Sequence, residues 1–96
     1  MKITNVSAKN IQSIVKLDSE IFENKWSENT FKETLENTTQ YLFQIELTGK
    51  TIAFICFSAL NKEVELLKIG VDKKFRKRGI AQKLFDFLLH YLNHYQ

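Results

Sequence analysis

Proline is absent from the 96 residues, and glycine occurs only three times. A chain so poor in both contains no linker and no low-complexity tract. At this length it holds one hydrophobic core rather than two, so residues 1–96 are expected to form a single domain. The lone cysteine, Cys56, has no partner in the chain for a disulfide, which fits a reducing compartment such as the cytoplasm. No run approaches the roughly 18 apolar residues of a membrane span, and the first residues lack the apolar stretch of a signal peptide. A cytoplasmic protein with no membrane partner is the expectation.

Aromatic area is plentiful by contrast: eight Phe, three Tyr and one Trp. Such density argues for a packed core and against disorder. The formal net charge of +3 conceals an uneven distribution. Lys73, Lys74, Arg76, Lys77 and Arg78 fall within six positions, and without them nine cations face eleven acids. The basicity belongs to one loop.

Spacing gives the order β-α-α-β-β-β-α. Residues 3–6 read as a short strand. Ser7 is placed as an N-cap, with Val6 and Ile11 at staple positions, for an amphipathic helix over 8–22. Ser27 repeats the device with Trp26 and Phe31, opening a helix to about residue 35. Alternation over 41–47 marks a half-buried strand, and Gly49 sits in a hairpin turn. The nearly unbroken apolar run 51–60 predicts a strand buried on both faces. Residues 63–71 read as another strand and 79–95 as a helix whose apolar positions (Ala81, Leu84, Phe85, Leu88 and Leu92, with others beyond that stripe) want cover on more than one side.

The informative segment joins strand, basic turn and helix start: Ile69-Gly70-Val71-Asp72, then Arg76-Lys77-Arg78-Gly79-Ile80-Ala81. Free backbone N–H groups and the macrodipole favour an anion at a helix N-terminus. Gly79 permits close approach of a ligand to the backbone, Ala81 keeps the next turn slim, and the three cations add charge-assisted donors. The pattern is that of a pyrophosphate cradle, though neither a Walker loop nor a dinucleotide turn. A purely solvated basic turn is the plainer alternative. A nucleic-acid surface is disfavoured, because the charges form a knot rather than a stripe interleaved with aromatics.

These residues resemble a known family. Arg76-x-x-Gly79-x-Ala81 matches the Q/R-x-x-G-x-G/A signature of the GNAT superfamily of acetyl-CoA-dependent N-acetyltransferases, with Leu67-x-Ile69-x-Val71-Asp72 similar to its fourth strand. Trp26-Ser27-x-x-x-Phe31, with Gly49-Lys50-x-Ile52-Ala53-Phe54 downstream, resembles the ribosomal-protein-alanine N-acetyltransferases (RimI type). The resemblance implies an α/β (α+β) GNAT-type fold with a mixed, mostly antiparallel sheet flanked by helices. It further implies acetyl-CoA as cofactor and a protein or peptide N-terminus as acceptor. Ile69, Gly70 and Val71 would hold the pantetheine arm, and Arg76, Lys77, Arg78, Gly79, Ile80 and Ala81 the pyrophosphate. Glu65 aligns with a fourth-strand glutamate that serves as base in some branches, whereas the pairing of Glu63 and Glu65 at period two also suits a merely solvated face. Trp26 and Phe31 would shape the acceptor site. The family pattern continues into a further strand, helix and hairpin, so the expectation is a partial enzyme, with self-association through the terminal helix or the fourth-strand edge. Rival readings are a non-catalytic CoA-binding or partner-binding fragment and an acetyltransferase for small amines. Metal is not expected: His90 and His94 share ligand spacing but suggest no third ligand. Cys56 reads as a small core residue.

Overall fold

The computed structural model describes residues 1–95. Four strands, β1 (Ile3–Asn5), β2 (Gln40–Leu47), β3 (Lys50–Leu60) and β4 (Glu63–Val71), lie in the order β1-β2-β3-β4. Every pairing among them is antiparallel, so the sheet is antiparallel throughout rather than mixed. The reason is local: tight turns at Thr48-Gly49 and Asn61-Lys62 join the three long strands and reverse the chain each time. Thr48, Asn61 and Lys62 share positive φ with Gly49 in these turns.

Helices cover both faces. α1 (Ile11–Ile21) and α2 (Glu28–Glu36) pack on one side, and α3 (Ile80–Tyr95) on the other. The 8–22 segment opens with a single 3-10 turn at Ala8–Asn10, and Asn10 Oδ1 accepts the Ser7 N–H at 3.1 Å. At α2, Ser27 Oγ accepts from the Thr30 N–H at 3.1 Å, and the rings of Trp26 and Phe31 meet at 5.2 Å as a staple does.

β3 is the centre of the core, buried on both faces as its apolar run requires. Phe54 and Cys56 face α1 and α2, while Ala53, Ile55, Phe57 and Ala59 face α3. On α3 the buried residues are Ile80, Leu84 and Leu88, backed by Phe87 and Tyr91; Leu84 and Leu88 belong to the expected stripe, whereas Ala81 and Phe85 of that stripe are exposed. Phe85 and Leu89 are exposed, as is Leu66 on β4. No described helix is long and apolar enough to cross a membrane.

Candidate functional site

A cleft of about 440 Å³ opens where β4 ends and α3 begins. Ile69, Gly70 and Val71 form its strand side, Arg76, Lys77 and Gly79 its loop side, and Ile80 and Ala81 its helix side. All eight are residues that the sequence pattern singles out for cofactor. Arg78 is the exception: its guanidinium lies over the Phe75 ring at 5.3 Å and does not line the cleft.

The loop geometry follows from its residue types. Asp72 caps a single 3-10 turn, Lys73–Phe75, its Oδ1 accepting from the Lys74 N–H at 2.9 Å. That bond, and then the nearby Lys50 charge, hold the Asp72 carboxyl below its ordinary value. Arg76 turns its Nε back onto the Val71 carbonyl at 3.1 Å, tying the loop to the strand end and leaving its two Nη groups for an anion. Lys77 and Gly79 both take positive φ, +63° and +76°. A methyl group built at Gly79 would meet no atom within 4 Å, so glycine serves there for conformation. The Gly79 carbonyl accepts the first helical bond, from Lys83 N–H at 3.0 Å. The N–H groups of Ile80, Ala81 and Gln82 therefore have no intrahelical acceptor, and all three residues line the cleft.

Four lining residues escape the sequence reading: Ile21, Phe22, Phe75 and Gln82. Ile21 and Phe22 come from the end of α1 and lie against Gly70, where an added Cβ would stand 2.7 Å from Ile21 Cδ1 and 3.1 Å from Phe22 Cε2. The absence of a side chain at Gly70 is the sequence signal for that close approach. The basic knot also divides. Arg76 and Lys77 face this cleft, whereas Lys73 and Lys74 line a second hollow with Glu20, Lys50 and Asp72.

β4 is not regular. Cys56 stands opposite Lys68 and Phe57 opposite Leu66, so Leu67 is an extra, bulged residue. It lines a separate groove of about 360 Å³ with Trp26, Thr30, Glu33, Asn37 and Gln40. Trp26 therefore reaches an open groove. Phe31 does not: it is wholly buried between Trp26 and Phe54, and it backs the indole instead of touching solvent. Glu65 is exposed, opposite Ser58, in a hollow with Glu63 and Val64. It lies four positions before Ile69, about 13 Å along a strand. Cys56 is buried, and burial pushes its thiol up to about 11, which leaves it no nucleophilic role. The His90 and His94 rings lie 4.0 Å apart, and among the described residues no group of three or more His, Cys, Asp and Glu is arranged to hold a metal.

The cleft suits a long ligand with an anionic end. Apolar walls from Ile21, Phe22, Ile69, Val71 and Ile80 run to a terminus bearing three open amides and two cations.

Comparison with known proteins agrees with that geometry. The Escherichia coli ribosomal-protein-S18-alanine N-acetyltransferase has the same fold, with a TM-score of 0.84 at 23% identity over 95% of this chain and 58% of its own. An aminoglycoside antibiotic 6'-N-acetyltransferase from Acinetobacter haemolyticus gives 0.80 at 17% identity, covering 99% of this chain and 73% of that one. An aminoglycoside 6'-N-acetyltransferase solved with coenzyme A gives 0.82 at 16%, covering 97% and 56%. The chain thus spans less than two thirds of the first and third of these. A search of curated protein sequences finds no match. The model of the acetyltransferase (GNAT) family matches residues 11–96, which takes in α1, the bulged strand and the whole cleft, and the chain belongs to that family.

Proposed function

We propose that the cleft binds acetyl-CoA and that the chain takes part in acetyl transfer to a primary amine, with a protein or peptide N-terminal α-amino group as acceptor. One observation carries the first half of this reading. Strand end, positive-φ loop and unpaired helix amides converge on one cavity, in a chain whose family transfers acetyl groups. Arg76, Lys77 and the amides of Ile80, Ala81 and Gln82 would hold the pyrophosphate. The backbone of Ile69 and Val71 would align the pantetheine arm, and Ile21, Phe22 and Phe75 would exclude water around it.

Acetyl-CoA supplies an activated acyl group, so the protein's tasks are alignment and removal of a proton from the incoming ammonium. Glu65 is the proposed base. It lies on the α1/α2 face of β4 with Leu67 and Lys68, and its distance from Ile69 requires a relay through water. Glu65→Gln should lower kcat by about 100-fold and leave acetyl-CoA affinity unchanged; an unaltered kcat would remove Glu65 from the reaction.

The acceptor reading is supported by the Trp26-Ser27-x-x-x-Phe31 segment and by likeness to the alanine N-acetyltransferase. A small polyhydroxylated amine is the second reading, favoured by the polar side chains of Thr30, Glu33, Asn37 and Gln40 in the groove beside Trp26. Free CoA thiol release decides between them. An alanine-initiated peptide should sustain it and an aminoglycoside should not. The reverse result transfers the assignment to small amines, and release with neither leaves a CoA-binding module.

A further inference from the structure

Lys68 is a charged residue almost wholly removed from water, its side chain 9% exposed. Its ammonium lies 2.5 Å from Asp18 Oδ1 and donates to the Asn24 carbonyl at 3.1 Å. It also stands 4.4 Å from the centre of the Phe22 ring and 4.9 Å from that of Trp26. Asp18, fully buried in the last turn of α1, completes the arrangement. Its Oδ2 accepts the Trp26 N–H at 2.7 Å, and its own carbonyl accepts the Phe22 N–H at 2.9 Å.

Nothing in the cleft's chemistry calls for this pair, and a buried ion pair is a poor device for stability alone, because desolvation consumes most of the Coulombic gain. What it does is mechanical. One ammonium, attached to β4 between the bulge at Leu67 and the cleft residue Ile69, holds both ends of the segment 22–26. Phe22 at one end is a wall of the cleft, and Trp26 at the other is a wall of the groove. From this we infer that Lys68 is a positioning residue: its Nζ latches the α1–α2 connection onto β4, fixing Phe22 over the cleft and Trp26 over the groove together, so that filling the first is felt at the second. The ligand side of this inference rests on the cofactor reading given above; the latch itself does not.

Trp26 is the sole tryptophan, so indole fluorescence reports on this one position, which Lys68 contacts directly. The test compares the unaltered chain with Asp18→Asn/Lys68→Met, which removes both charges and retains side-chain bulk, and with Lys68→Arg, which retains the cation. Neutralising both partners avoids stranding one buried charge, so the melting temperature should change little. In the double variant acrylamide quenching of Trp26 should rise at least threefold and acetyl-CoA affinity fall at least fivefold, with Lys68→Arg within twofold of the parent on both. Quenching that stays within twofold overturns the latch. Raised quenching with unchanged affinity also overturns the inference, since the pair would then be structural only.

A double variant that fails to fold leaves the unaltered chain to decide. Its Trp26 emission should shift on titration with acetyl-CoA and saturate at the calorimetric Kd; a spectrum that does not respond contradicts the coupling. A folded parent that takes up no acetyl-CoA overturns the cofactor reading instead, and the ligand-free quenching comparison still judges the latch.

Discussion

At Gly79 the backbone stands at φ +76° with open space around the missing Cβ. Any L-residue there adopts a left-handed conformation at a cost of about 1–2 kcal/mol. Gly79→Ala should therefore lower the unfolding free energy by roughly that amount in urea titration, and relaxation of the loop should weaken acetyl-CoA binding at least tenfold. Asp72 is a different kind of fixture. Its carboxyl titrates below the ordinary 3.8, because it accepts the Lys74 N–H and lies 3.6 Å from the Lys50 ammonium. A depressed folded-state value means that its ionised form contributes stability in full above 3.8, and that the contribution is lost as pH falls below it. Thermal melting of Asp72→Asn should fall short of the parent at about pH 7, with the gap narrowing as pH falls below 3.8. A gap independent of pH would show that the charge is immaterial.

Among the elements, β4 carries the two backbone features that shape the cleft. The bulge at Leu67 turns the strand just before the cleft, and the naked backbone at Gly70 lets α1 bring Ile21 and Phe22 against it. Gly70→Val would force a side chain to within 2.7 Å of Ile21 Cδ1 and 2.9 Å of Phe54 Cε1. Overpacking of this kind costs about 1–3 kcal/mol. Denaturant midpoints should show the loss, together with weaker acetyl-CoA binding as Phe22 is displaced; an unaffected midpoint would mean that α1 yields freely. The bulge had a sequence signal: the apolar doublet Leu66-Leu67 interrupts the alternation of residues 63–71, and a regular strand passes over it. The latch had none. Asp18 and Lys68 are fifty residues apart in the chain and meet only once α1 is laid across β4.

Taken whole, the molecule is a sheet with helices on both faces and its candidate site at the outer strand. Much of that was legible because period, capping residues and turns act locally: the double burial of the 51–60 run, the staple of Trp26 on Phe31, and the convergence of Ile69, Gly70 and Val71 with residues 76–81. What local pattern could not supply was orientation. Arg78 turns onto Phe75, Phe31 is sealed in the core, and α3 buries the stripe through Ile80 and Leu84 while Phe85 stays exposed. Each of these depends on which neighbour arrives from elsewhere in the chain.

The basic loop is the point at which local pattern, tertiary geometry and family membership meet. The most direct measurement is calorimetric titration of acetyl-CoA into the folded chain at moderate salt, repeated with Arg76→Ala. Saturable one-to-one binding that weakens at least tenfold in the variant is the predicted result. A folded chain that gives no binding heat, or a variant that binds as tightly as the parent, would contradict the assignment of this cleft to the cofactor.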